Sequence, residues 1–215
     1  MLKAVIFDLN GTILDDEDNY TDAFRYVLHL LGVKTGDDFT HTTGVGVKEN
    51  WIDFKLRYNI KTKKSLDELV SLTQKAYLKE FDKVRLRKGL LRFVKNLKLL
   101  GIKTAIATSN DYSMVEKFFD KFGLEEYFDV VTSAEEVSLN KPSPQIFLLT
   151  AEKLGVEPYE CLVFEDSEAG VEAAHLAGMA VVGIAKDGKS DFKKAQKVIH
   201  NFKDFKLLPQ ERVIN

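Results

Sequence analysis

The sequence predicts an α/β protein: a doubly wound parallel sheet with an α-helical insertion after the first strand. Three observations carry this expectation. Residues 4–7 are a continuous apolar run, two of them β-branched, ending in Asp8, as in a strand buried on both faces. Helical stretches closed by Gly then lead at once into apolar strands: Leu100-Gly101 before 104–107, Phe122-Gly123 before 130–131, Leu154-Gly155 before 162–164, and Ala177-Gly178 before 180–184. Residues 33–82, by contrast, carry only helical or loop patterns.

The elements follow in order. Asn10-Gly11 suits a sharp turn out of the first strand. Ala23, Phe24, Val27, Leu28, Leu30 and Leu31 share one helical face, and Gly32 stands at the C′ position. Ile52, Leu56 and Ile60 mark a second helical face, and Leu66, Leu69, Val70, Tyr77 and Leu78 a third, opened by a capping box from Ser65 and Glu68. The run 61–64 reads as a solvated connection. Residues 15–83 therefore form the insertion, and 1–14 with 84–215 the core.

Composition bounds the function. The chain has 215 residues, 45% hydrophobic and 30% charged, with net charge −2. That composition excludes a disordered chain and offers no basic field for nucleic acid or a membrane surface. Cys161 is the only cysteine, so no internal disulfide is possible, and its place beside an apolar strand reads as inert packing. No stretch resembles a signal peptide or a membrane span, so a cytoplasmic protein with a small-molecule partner is expected. The sequence does not set the oligomeric state, and a monomer is compatible with it. His29, His175, His200 and His41 show no metal-ligand spacing. Trp51 and Phe118 are expected in packed cores.

Four stretches place chemistry at strand or helix ends, the edge where open α/β sheets bind ligands. The first is Asp8. The second is Thr108-Ser109-Asn110, a hydroxyl and backbone amides ahead of a helix near Tyr112, suited to phosphate oxygens or simply to capping. The third is Lys141, between Asn140 and Pro142-Ser143-Pro144, with Pro144 in a first helical turn capped by Ser143. Such a cation neutralises a carboxylate and a phosphate together, or is solvated surface. The fourth is Glu165-Asp166, adjacent acids suited to a hard divalent ion such as Mg²⁺ bridging to Asp8, or to capping the next helix.

Together DLNGT, ATSN, KPSPQIF and FEDSEAGVEAAHLAGM resemble the four motifs of the haloacid dehalogenase superfamily. The insertion between the first two motifs is similar to the branch of phosphoglycolate phosphatases, sugar phosphatases and β-phosphoglucomutase. The resemblance implies a Rossmann-like core with a helical cap. It implies that Asp8 is the nucleophile and forms an aspartyl-phosphate. Thr108, Ser109 and Asn110 would hold phosphoryl oxygens, and Lys141 would balance charge. Asp8, Glu165, Asp166 and the backbone carbonyl of Asn10 would bind Mg²⁺. Tyr20, Gly44, Lys48 and Glu49 fall in the substrate-facing part of the cap.

Asn10 departs from the pattern. Phosphatases of the family carry there an Asp that protonates the leaving alcohol, which an amide cannot do. The expectation is a Mg²⁺-dependent phosphatase of small phosphorylated metabolites, sugar phosphate or phosphoglycolate-like, impaired by an engineered or natural change at Asn10. A phosphometabolite-binding protein and a mutase are the alternatives. The mutase is weakened because Tyr20 and Val47 stand where β-phosphoglucomutase has His and Arg.

Overall fold

The computed structural model describes residues 1–185 and 192–205. β1 (Ala4–Phe7) leads through a tight turn at Leu9–Ile13 into β2 (Leu14–Asp15). Three helices follow: α1 (Glu17–Leu30), α2 (Val47–Arg57) and α3 (Leu66–Lys79). The chain returns along β3 (Arg85–Leu86), which pairs antiparallel with β2. This two-strand ribbon joins the helical block to the core and carries no sequence signal, because each strand is only two residues long.

The remainder alternates regularly: α4 (Leu90–Leu99), β4 (Lys103–Ala107), α5 (Tyr112–Phe122), β5 (Val130–Thr132), α6 (Gln145–Leu154), β6 (Cys161–Glu165), α7 (Glu168–Leu176), β7 (Ala180–Ile184) and β8 (Lys197–Ile199). The sheet order is β5-β4-β1-β6-β7-β8, with every pairing parallel. The chain moves outward through β4 and β5, then returns to the other side of β1. The strand order thus reverses beside β1, and the crevice that binds ligands in such sheets opens there.

The period of two along β1 explains its apolar run. Val5 and Phe7 join a cluster with Phe93, Phe164 and Phe202, whereas Ala4 and Ile6 face Phe147, Val163 and Val171 on the other side. Phe7 stacks on Phe164 at 5.3 Å. Within the helical block, Phe24, Trp51, Phe54 and Tyr77 are buried, and the Trp51 indole N–H donates to Thr73 Oγ1 at 2.8 Å, so Trp51 is core as expected. The capping box is present: Glu68 N donates to Ser65 Oγ, and Ser65 N to Glu68 Oε2. Gly123 and Gly155 end α5 and α6 at positive φ, a conformation other residues enter at a cost. Ser143 and Pro144 sit one residue further from the helix than the sequence implied: α6 begins at Gln145, with Pro144 at its cap position. Cys161 is buried, which pushes its thiol up to about 12 and leaves it unreactive.

Candidate active site

The C-terminal ends of β1, β4 and β6 deliver their polar residues to one place. Asp8 leaves β1 directly, and its N–H donates to Phe164 O at 2.9 Å, so the backbone is still held by the sheet there. Lys141 Nζ donates to Asp8 Oδ1 at 2.6 Å, to Ala107 O at 3.3 Å, and to Glu165 Oε1. Its side chain is wholly buried, which excludes a solvated surface lysine.

Asp8, Glu165 and Asp166 bring carboxylate oxygens within 4.8 Å of one another. Burial works against the Lys141 charge, but Asp8 and Glu165 outweigh it and hold the side chain as ammonium. One ammonium cannot balance three carboxylates. Burial accordingly pushes Asp8 up to about 8 against the pull of Lys141, and pushes Asp166 up as well, reinforced by Glu17 and Glu165. Three ionised carboxylates and one ammonium leave two negative charges, which one divalent cation would cancel. The donors are all hard oxygens, as Mg²⁺ requires. Asp166 Oδ1 accepts from Thr12 at 3.2 Å. Glu165 Oε2 accepts from Ser167 N and Oγ, so both Glu165 oxygens are already engaged. Capping α7 is left to Ser167, whose Oγ accepts from Gly170 N at 3.0 Å, and neither acid is spent on it.

Asn10 projects into a second network. Its Nδ2 donates to Asp16 Oδ2 at 2.5 Å, and its Oδ1 accepts from Asn110 Nδ2. Asp16 is buried and also accepts from Tyr77 Oη at 2.6 Å and from Gly11 N at 3.0 Å. Burial, and then the Glu17 charge, push Asp16 up to about 6 in spite of these donors. Arg87, buried beneath the turn, donates to Thr12 O at 3.0 Å and to Gly11 O, fixing the loop from the core side.

A cavity opens over these groups, lined by Asp8, Asn10, Thr108 and Asn110 from the core and by Glu17, Tyr20, His41, Gly44 and Asn50 from the helical block. Asn50 builds its rim: its Oδ1 accepts from Thr42 N at 2.8 Å, and its Nδ2 donates to Thr42 O at 3.0 Å and Gly46 O at 3.2 Å.

The fold and this constellation agree with the comparisons. The sequence profile of the haloacid dehalogenase-like hydrolases matches residues 2–178. The chain belongs to this family. Among haloacid dehalogenase-like relatives, the phosphorylated carbohydrates phosphatase of Thermotoga maritima is 35% identical over 208 residues, spanning 88% of this chain and 89% of its own. β-Phosphoglucomutase of Clostridium difficile superposes with a TM-score of 0.87 at 25% identity, covering 99% and 97% of the two chains. An Asp-to-Asn mutant of CbbY from Rhodobacter sphaeroides, in complex with xylulose-(1,5)bisphosphate, superposes with a TM-score of 0.81 at 26% identity over 95% and 96%.

The sequence-predicted residues of this haloacid dehalogenase-like chain divide into three groups. Asp8, Asn10, Lys141, Thr108, Asn110, Glu165 and Asp166 meet at the sheet edge, and Tyr20 joins them through a hydrogen bond from its hydroxyl to Asn110 Oδ1 at 3.1 Å. Ser109 and Glu49 tie helical block to core: Ser109 Oγ donates to Gly44 O at 3.0 Å, and Glu49 Oε1 accepts from Asn140 Nδ2 at 2.7 Å. Lys48 does neither, pairing at 3.0 Å with Asp67 on the exposed surface. Gly44 has φ +76° and lies so close to Ser167 that a Cβ would collide with its hydroxyl. Asp16, Glu17, His41, Asn50 and Arg87 were not singled out as site residues. The DDED run at 15–18 hides Asp16 and Glu17 among like neighbours. His41 lies in a loop without periodicity, and no local pattern assigns it.

Proposed function

We propose that this chain is a Mg²⁺-dependent phosphoric monoester hydrolase of small phosphorylated metabolites that works through an aspartyl-phosphate on Asp8 and is slowed by the amide at Asn10. The observation that carries the reading is the buried Lys141 clasped between Asp8 and Glu165 beside a third carboxylate, Asp166. A structural ion pair needs one partner for the lysine. A cluster with two surplus negative charges is built for a cation and for a substrate whose charge the ammonium shares.

Asp8 Oδ1 is taken by Lys141, which leaves Oδ2 to attack phosphorus. Thr108 Oγ1 accepts from Asn110 N at 3.1 Å, so its own proton is free to reach a phosphoryl oxygen. Lys141 balances the charge that Asp8 and the phosphoryl group bring together. Mg²⁺, held by Asp8, Asp166 and the Asn10 backbone carbonyl with Glu165 behind them, would neutralise the transferring phosphoryl oxygens. Asn10 offers the leaving oxygen no acidic proton, so the alcohol departs without general-acid help, a handicap of about 10²–10⁴ in rate.

Residues 15–83 act in this reading as a cap over a core made of 1–14 and 84–215, and exchange of substrate requires it to lift. Its contacts with the core combine polar pairs, Ser109 to Gly44, Asn140 to Glu49, Gln74 Nε2 to Asp111 Oδ2 at 2.8 Å and Tyr20 to Asn110, with aromatic packing of Tyr77 and Phe81 against Phe118. Among the described residues no helix is long and apolar enough to cross a membrane.

Asn10 alone favours a second reading, a phosphometabolite-binding protein without turnover. Phosphate release from an aryl phosphate with Mg²⁺ separates the two. The Asn10→Asp variant is expected to turn over, and adding Asp8→Asn to it is expected to remove all activity. Turnover that survives Asp8→Asn overturns the aspartyl-phosphate route; no turnover in Asn10→Asp supports the binding protein.

A further inference from the structure

The loop that leads into α2, with the first turn of that helix, is docked onto the core at three points, and each core residue that makes a contact is the sequence neighbour of a site residue. Ser109, which follows Thr108, donates from Oγ to Gly44 O at 3.0 Å. Ser167, which follows Asp166, lies so close to Gly44 that no Cβ fits between them. Asn140, which precedes Lys141, donates from Nδ2 to Glu49 Oε1 at 2.7 Å. The resemblance places Glu49 in the substrate-facing segment, yet this stretch lines the cavity with residues 44–47 and Asn50, and Glu49 turns away to Asn140.

Glu49 stands at the third position of α2, behind Gly46 at the N-cap. A glutamate there commonly turns back to the amide of its own N-cap residue, as Glu68 of α3 does when it accepts from Ser65 N at 2.7 Å. Glu49 instead spends Oε1 on the core. The segment it holds has few other anchors. Gln145 Oε1 accepts from Ser138 N, Ser138 Oγ and Leu139 N, all ahead of Asn140, and Ser143 N donates to Asn140 O at 3.0 Å within the turn. Apart from the partners of the Lys141 ammonium, Glu49 is the only hydrogen-bond partner that residues 140–143 have outside 138–145, among the described residues.

The ammonium carried by that segment has a narrow target. Lys141 Nζ meets Asp8 Oδ1 at 2.6 Å, Ala107 O at 3.3 Å and Glu165 Oε1 from one buried position. A misplacement of about 1 Å in such a site can cost about 10²-fold in rate. We infer that Glu49 is a positioning residue for Lys141: bound to Asn140, it fixes the backbone from which the ammonium reaches Asp8, so that seating of the loop at 44–46 and placement of the cation occur together. The inference rests on the phosphatase reading for its consequence in rate, and it gives Glu49 a part in that reaction without contact to substrate.

The test is hydrogen–deuterium exchange on the chain as it stands, with Mg²⁺ and inorganic phosphate, so that turnover is not needed. Glu49→Ala is expected to speed exchange across 139–143 at least fivefold (about) while 104–108 stays within about twofold. Glu49→Gln, which keeps an acceptor for Asn140, is expected to stay within about twofold of the parent chain, and adding Asn140→Ala to Glu49→Ala to change nothing further. Unaltered exchange at 139–143 in Glu49→Ala, loosening spread evenly over the molecule, or no rescue by Glu49→Gln overturns the inference. The consequence in rate is read on an aryl phosphate in the Asn10→Asp background. There Glu49→Ala should lower kcat by about tenfold or more with KM within about threefold, and Glu49→Gln should restore kcat. A raised KM at unchanged kcat would make Glu49 a substrate contact and overturn the positioning role. An inactive Asn10→Asp chain with Glu49 intact counts against the phosphatase reading, and the exchange result then decides the coupling of Glu49 to the Lys141 segment by itself.

Discussion

Replacing Asn10 by aspartate is expected to switch chemistry on and weaken the fold together, and the structure sets both magnitudes. Supplying a positioned acid should raise the rate by about 10²–10⁴, or about 2.7–5.4 kcal/mol off the barrier. The new carboxylate, however, lands where Asn10 Nδ2 now donates to Asp16 Oδ2 at 2.5 Å. A donor becomes an acceptor facing a buried acid already pushed up to about 6. Two unit charges at about 4 Å repel by about 4 kcal/mol near a protein surface, equivalent to about three pK units. The pair should therefore keep one shared proton at neutral pH, as like-charged carboxylate pairs do. A retained proton is what a general acid needs. The cost is stability that falls as pH rises and that proton is lost. The assay is phosphate release from pH 5 to 9 with urea unfolding at the same pH values. The variant should be activated most below the upper pKa of the pair, and less stable than the parent chain by about 2–4 kcal/mol at high pH. Asn10→Asp with Asp16→Ser should recover the stability. Activation below tenfold at every pH, with unfolding unchanged, would refute the placement of this side chain between Asp16 and the reacting group.

The carboxylate cluster makes a related prediction for the metal-free chain. Asp8 and Asp16 hold protons more tightly when folded, at about 8 and about 6, than the ordinary carboxylate value of 3.8. The folded state then binds more protons than the unfolded one, so this contribution is full below pH 4 and is lost as pH rises through 8. The urea stability should drop by about 4 kcal/mol between pH 5.5 and 8.5, and millimolar Mg²⁺ should restore most of it at the upper pH; a metal-free chain that grows more stable over this range would contradict the charge count. Lys141→Met removes the ammonium from between Asp8 and Glu165. It should cost about 3–5 kcal/mol without Mg²⁺ and abolish turnover in the Asn10→Asp background, as urea unfolding and phosphate release would check.

The half of the site that was legible in the sequence is the half that topology fixes. Asp8, Thr108 and Glu165-Asp166 each follow an apolar strand, and parallel strands in this order must deliver their C-terminal ends to one edge. Lys141 was open between surface and site, and its burial decided it. Of the half contributed by the insertion, Tyr20, Gly44 and Glu49 followed from the resemblance, whereas Glu17, His41 and Asn50 were not legible, because nothing local marks them. His41 meets Glu17 only when a loop folds over α1, and Asn50 reveals its role only through the loop at 42–46 that it laces together. Lys48 followed the resemblance into the substrate-facing segment, yet its place on α2 turns it toward Asp67 on α3. The core strands were found to within a residue or so, whereas the β2–β3 ribbon was too short to show a period.

The clamp that Asp16 places on the Asn10-Gly11 turn also governs how the molecule ages. An Asn-Gly pair loses ammonia when the following backbone nitrogen attacks the side-chain amide carbon, closing a succinimide that opens toward aspartate or isoaspartate. Here that nitrogen is occupied, because Gly11 N–H is bound to Asp16 Oδ1, and the amide it would attack is pinned by Asp16 on one side and Asn110 on the other. The folded chain thus guards the amide at Asn10, whose hydrolysis would, in the proposed reading, supply the missing acid. Unfolding would release that guard, so under that reading each passage through the denatured state would be a chance for a more active form to arise.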